Sequence, residues 1–137
     1  NDQMAKYIAK DFQKKIFNNK FQNSKKILIL GYTFKEDCND IRNSKVLDLF
    51  NALKKNYKTI HVYDPHVIKS ELDQIIKPYF RKKPNKNFYD AIIIAVPHKF
   101  FLELGLKKIF KFGKKKVCKI YDIKSIFKPN DRILNLW

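Results

Sequence analysis

Lys26-Ile27-Leu28-Ile29-Leu30-Gly31 is the stretch from which the rest of the chain can be read. An apolar run without a polar break, closed by a glycine, marks a strand covered on both faces. A half-exposed strand would alternate apolar and polar side chains instead. A polar loop follows from Tyr32 to Asn43. The pattern then predicts a helix from about Ser44 to Lys55. Val46, Leu47, Leu49, Phe50 and Leu53 form its apolar face, and Asn43 or Ser44 is the cap. Thr59-Ile60-His61-Val62-Tyr63 is the next strand, stopped by Asp64-Pro65. Strand, helix, strand at this spacing is a βαβ unit, right-handed by default.

Working outward, Ala91-Ile92-Ile93-Ile94-Ala95-Val96 is the clearest buried strand. Val117 to Asp122 reads as a fourth strand, and Ile133 to Trp137 as a final edge strand. The less regular stretch from His66 to Phe88 holds a short helix from Ser70 to about Ile76, and Pro78 and Pro84 break the segment after it. Phe100, Phe101, Leu102 and Leu104 suggest a short helix ended near Gly105, and Leu106 to Phe112 another turn or two. Upstream, Asn1 caps a helix running to about Asn18, in which Met4, Ile8, Phe12 and Ile16 recur every four residues. A chain that opens in a capped helix reads as a piece of a longer protein. The alternation predicts an α/β fold, a three-layer Rossmann-like sandwich with a mostly parallel sheet, preceded by an N-terminal helix.

At 137 residues this is one domain, or one domain plus an appendage. A hydrophobic fraction of 45% and an aromatic fraction of 15% exclude a disordered chain. No apolar run is long enough to span a membrane, and the charged, amphipathic stretch from Asn1 to Lys20 is no signal peptide. Cys38 and Cys118 are too few for a disulfide framework or a four-cysteine zinc site. His61, His66 and His98 lack metal-ligand spacing. A reducing cytoplasm is the expected compartment. The 30 Lys+Arg and 13 Asp+Glu leave a net charge of +17, which invites a polyanion. The lysines are dispersed, however, and only Arg42, Arg81 and Arg132 offer the planar fork that favours specific phosphate and base contacts. A solvated lysine-rich surface is the plainer reading. A free-standing Rossmann-like module that binds RNA or another polyanion is the alternative.

In an open parallel sheet, ligands lie beyond the carboxyl ends of the strands. Three segments converge there: the loop after Gly31, the turn Asp64-Pro65-His66, and the residues after Asp122. The first loop is neither a dinucleotide fingerprint nor a P-loop. Lys35 and Arg42 flank it and a helix N-terminus follows, which favours an anion. Equally, Arg42 can pair with Asp37 or Asp40 and simply hold the loop together.

The string from Gly31-Tyr32-Thr33-Phe34-Lys35 through Asp40-Ile41-Arg42-Asn43-Ser44-Lys45-Val46, followed by Val62-Tyr63-Asp64-Pro65-His66-Val67, resembles the C-terminal domain of the UDP-glucose/GDP-mannose dehydrogenase family. Ala91 to Pro97 matches a family strand, and Asp122-Ile123-Lys124 resembles a late Asp-x-Arg or Asp-x-Lys element. The opening helix resembles the end of the family's central dimer-forming region. The resemblance implies that residues 1–20 end that region and that residues 21–137 form the UDP-sugar-binding C-terminal domain. The N-terminal NAD domain and the catalytic cysteine then lie outside this chain. It implies oxidation of a nucleotide sugar at C6 to a carboxylate, with NAD as cofactor, in a homo-oligomer, for surface polysaccharide synthesis. Residue by residue, Phe34 and Lys35 match the pair that contacts the UDP-sugar, and Arg42 matches the arginine that reaches NAD. Lys124 stands where glucose-oxidising relatives often carry Arg, and with the wording of the loop it hints at the UDP-N-acetylhexosamine branch.

Other residues invite blander readings. Cys38 is a loop thiol with no sequence neighbour to activate it, and Cys118 belongs to the core. Asp64 is expected to make an Asx turn before Pro65, and His66 a turn hydrogen bond. His98 helps to form the loop after the central strand, Asp122 orients the last loop, and Trp137 packs on an edge.

Overall fold

A computed structural model describes residues 2–20 and 23–136. The expected cap at Asn1 and the expected edge packing of Trp137 lie outside the described residues.

The strands are β1 (Lys26–Leu30), β2 (Thr59–Tyr63), β3 (Ala91–Ile94), β4 (Lys119–Asp122) and β5 (Ile133–Asn135). They form a parallel sheet in the order β2-β1-β3-β4-β5. Along β1, Ile27 and Ile29 join one apolar cluster while Leu28 and Leu30 join the other, and Ile93 and Ile92 divide in the same way along β3. This two-residue alternation between two buried faces is why, past Lys26 at the start of β1, these strands carry only apolar side chains. The helices α1 (Asp2–Phe17) and α2 (Lys45–Lys54) cover one face. The short α3 (Lys99–Leu104) and α4 (Leu106–Phe110) cover the other. The three-layer α/β architecture is therefore as expected.

Helix α1 buries only part of its apolar stripe. Phe12 and Ile16 are buried, with the Phe12 ring edge-on to Tyr121 at 5.6 Å, whereas Ile8 is half-buried and Met4 exposed. Tyr121 donates a hydrogen bond to Asp11 Oδ2 at 2.6 Å. Lys15 pairs with Asp11 at 2.9 Å and donates to the carbonyls of Asn135 and Leu136. These polar ties pin the helix to the ends of β4 and β5.

One expected element is absent. The helix from Ser70 to Ile76 is replaced by two 3-10 turns, Lys69–Glu71 and Lys77–Tyr79. Leu72 is extended (φ −72°, ψ 144°), and the Asp73 carboxylate accepts the Ile75 N–H at 3.2 Å. That local bond competes with helical hydrogen bonding. Leu72, Ile76 and Phe80 still reach the core, so the four-residue apolar spacing reports burial here and not a helix.

Candidate functional site

The order β2-β1-β3-β4-β5 reverses direction between β1 and β3, and there the loops after two adjacent strands leave toward opposite faces. Gly31 makes the close approach possible. It sits at φ +98°, and a Cβ there would lie 2.6 Å from the Val96 Cβ. Beyond that crossing, loop 32–43 leads to α2.

Asp64 and His98 organise the crossing. Asp64 Oδ2 accepts the N–H groups of Tyr32 at 2.6 Å and Thr33 at 3.1 Å, and Oδ1 accepts that of His66 at 2.8 Å. The Asx turn is thus present, and the same carboxylate also holds the start of the first loop. Burial works to raise the Asp64 carboxyl, but the hydrogen bonds from His98, Tyr32 and His66 outweigh it and leave its pKa lowered. His98 is fully buried. Its Nδ1 accepts the Asp37 N–H at 2.9 Å, so Nε2 carries the ring hydrogen and donates it to Asp64 Oδ2 at 2.9 Å. Thr33 Oγ1 donates to the Lys35 carbonyl at 2.9 Å and lies 3.1 Å from the same Nε2. Asp37 Oδ1 in turn accepts the Lys99 N–H at 2.8 Å, satisfying a donor at the start of α3.

Between these anchors stand Phe34, 49% exposed, and Lys35, also exposed. The Phe34 N–H is tied to the Asp40 carbonyl. The Asp40 carboxylate accepts Arg42 Nε and Nη2, each at 3.1 Å. Of the two partners weighed for Arg42 in the sequence, the structure selects Asp40, whose carboxyl is held below its ordinary value by Arg42. Arg42 nevertheless remains 86% exposed, and two of its five N–H donors are used on Asp40. Ser44 caps α2 by accepting the Val46 N–H, and its hydroxyl donates to the Tyr32 carbonyl at 2.7 Å.

Two clefts open beside the N-terminus of α2. One, of about 410 Å³, is lined by Met4, Ile8, Lys45, Ala95, Ile123 and Lys124. The other, of about 680 Å³, is lined by Tyr32, Arg42, Asn43, Lys45, Asp48 and Asp73 among others. Lys124 and Arg42 therefore border adjoining clefts that share Lys45, while Phe34 and Lys35 stand on the exposed loop and line neither. Asp122 is buried at the end of β4. Its carboxylate accepts the N–H groups of Ile126 at 3.1 Å and Phe127 at 2.8 Å, which orients the segment carrying Lys124. Burial raises its pKa, and those bonds partly offset the effect. Cys38 lies in the loop with its thiol on the Lys35 carbonyl. Cys118 is buried, its thiol pushed up to about 12 by burial.

Sequence reasoning passed over Lys45 and underrated the Asp64–His98 pair. Their signals were present: Lys45 directly follows the cap of α2, and Asp64 and His98 are polar residues just past strand ends. Asp37, His66 and His98 bring possible ligand atoms within 4.8 Å of one another. Because both His98 ring nitrogens are engaged, the trio is a hydrogen-bonded cluster and not an open metal cradle. No described helix is long and apolar enough to cross a membrane.

A model of the UDP-glucose/GDP-mannose dehydrogenase family, UDP binding domain, matches residues 28–129. UDP-N-acetyl-D-glucosamine 6-dehydrogenase of Salmonella typhi is 34% identical over 127 residues, covering 92% of this chain and 30% of the relative. The Pseudomonas aeruginosa protein of the same name is 32% identical over 99% of this chain and 32% of its own length. Among solved structures, the UDP-N-acetyl-mannosamine dehydrogenase Cap5O from S. aureus superposes with a TM-score of 0.68 at 27% identity, covering 98% of this chain and 30% of that one. The chain thus spans about a third of the length of the relatives it matches.

Proposed function

The chain belongs to the UDP-glucose/GDP-mannose dehydrogenase family, whose UDP-binding domain it matches, and from that premise we propose that it is the C-terminal nucleotide-sugar-binding domain of an NAD-dependent UDP-sugar 6-dehydrogenase. One observation carries the reading. The loop with the family wording leaves the sheet where the connections after the paired strands β1 and β3 part toward opposite faces, and it holds Phe34 and Lys35 exposed, with Arg42 exposed at the rim of a cleft that also carries Lys45. Relatives named as UDP-N-acetyl-D-glucosamine dehydrogenases support the UDP-N-acetylhexosamine branch.

In this reading residues 1–20 end the central dimer-forming region, and residues 21–137 form one wall of the substrate site in a homo-oligomeric, cytoplasmic enzyme that feeds surface polysaccharide synthesis. Lys35 sets an ammonium against the diphosphate, Phe34 packs on or shapes the sugar pocket, and Lys124 adds a second cation from the end of β4. Arg42 reaches NAD bound mainly by the domain outside this chain. Its exposure and its remaining N–H donors suit a phosphate or carboxamide, and Asp40 holds the guanidinium ready. NAD, when bound, accepts the hydride taken from the sugar C6. The residues of this chain bind and orient, and none of them exchanges a proton or hydride with the sugar.

The test is NADH formation by the full-length protein offered UDP-N-acetylglucosamine, UDP-N-acetylgalactosamine, UDP-N-acetylmannosamine, UDP-glucose and GDP-mannose separately. One UDP-sugar giving two NADH per molecule is the expected result. No turnover with any of them, from a folded protein, overturns the proposal. The isolated chain is expected to be inactive.

A further inference from the structure

We infer that His98 is a positioning residue that sets the substrate loop by latching Asp37; the inference rests on the reading of Phe34 and Lys35 as substrate contacts. The exposed pair stands between two fixed points. On one side, the Thr33 N–H is held by Asp64, and its hydroxyl sits on the Lys35 carbonyl and beside His98 Nε2. On the other, the Asp37 N–H is held by His98 Nδ1. Asp37 adopts φ +59°, a left-handed conformation that costs energy outside glycine and persists only where its surroundings hold it. Here they do. His98 takes the Asp37 N–H, and the Asp37 carboxylate, from the other end of the same residue, takes the Lys99 N–H at 2.8 Å. The two bonds are reciprocal, joining residue 37 to residues 98 and 99 across the sheet end. The bonds of His98 divide by atom: Nδ1 holds Asp37, and Nε2 holds Asp64. Only the first reaches the far side of the exposed pair. Asp64 keeps three backbone donors, from Tyr32, Thr33 and His66, without His98.

That division makes the two functions of His98 separable. In His98→Gln the side-chain amide keeps a donor at the Nε2 position for Asp64 and loses the acceptor for Asp37. In His98→Asn the carbonyl oxygen stands in for Nδ1 and keeps the Asp37 bond, while the donor to Asp64 is lost. Asp37→Gly keeps the left-handed turn and the N–H that His98 Nδ1 accepts, but removes the acceptor of the Lys99 N–H, so it opens the second of the two reciprocal bonds from an exposed position where the fold is not at stake. Hydrogen exchange and steady-state kinetics of the full-length enzyme read the outcome, using the UDP-sugar that the unaltered enzyme oxidises. His98→Gln and Asp37→Gly should speed exchange of the peptide spanning residues 33–40 and raise KM for the UDP-sugar about fivefold at unchanged kcat, the loss of one hydrogen bond. His98→Asn should restore both. Slow exchange in His98→Gln and Asp37→Gly, or fast exchange with an unchanged KM, overturns the inference, as does an equal fall in kcat for all three. An unaltered enzyme that oxidises no nucleotide sugar instead overturns the functional reading, while the exchange data still decide whether the latch exists.

Discussion

Lys35 and Arg42 lie on one loop, and the proposed function assigns them different losses on substitution. Lys35 is exposed and enters no ion pair among the described residues, so its ammonium is available to a ligand. Lys35→Ala in the full-length enzyme should raise KM for the UDP-sugar and leave KM for NAD alone. Arg42→Ala should do the reverse. Because Arg42 is paired only at the surface, its removal should leave the melting temperature unchanged. Initial-rate kinetics with each substrate varied in turn decide between these patterns, and unchanged values in both variants remove the two assignments. His61 predicts a pH effect. It is buried in β2 between Tyr89 and Arg81, and its pKa is lowered from 6.5 to about 4, chiefly by burial and further by Arg81. Since the folded value lies below the unfolded one, the contribution is complete above about pH 6.5 and is lost as pH falls toward 4, at most ~3 kcal/mol. Urea unfolding of the chain across that range should show the loss, and His61→Gln, which cannot titrate, should flatten it.

At the scale of elements, the capping of α2 links local structure to the site. Ser44 accepts the Val46 N–H and donates to Tyr32, so one hydroxyl closes both the helix and the base of the loop. Ser44→Ala should cost about 1 kcal/mol from the cap alone. It should also speed amide exchange in loop 32–43 before it affects β1, and exchange confined to the helix end would show that the loop does not depend on this bond. The 3-10 turns between β2 and β3 obey a related rule. Leu72, Ile76 and Phe80 are spaced as a helix would space them, yet the Asp73 side chain and Pro78 divert the backbone into turns while the apolar side chains still reach the core. Apolar periodicity reports which side chains are buried. Polar side chains that bond their own backbone decide how the chain gets there.

For the whole molecule, the net charge of +17 remains the feature that the proposed sugar-binding role does not require. If the lysines form only a solvated surface, the full-length protein should bind mixed RNA weakly at physiological salt and without competition from UDP. Tight binding with a steep salt dependence would point to a polyanion as a further ligand. The five strands and the helices α1 to α4 were legible from the sequence, because a sheet buried on both faces demands unbroken apolar runs such as residues 27–30 and Ala91–Ile94; the segment from Ser70 to Ile76 was not. The loop wording from Gly31 to Val46 also named the family and the exposed residues Phe34, Lys35 and Arg42. The order of the strands was not legible there, and although the first loop and the Asp64 turn were expected to meet, the placing of His98 between Asp64 and Asp37 was not. Neither was the choice of Asp40 as partner of Arg42, or the sharing of Lys45 by two clefts. The physical reason is range. Burial patterns and caps are set by neighbours within a few residues. Hydrogen bonds between residues 37 and 98 exist only after the sheet has brought β1 beside β3, and only the tertiary structure decides that.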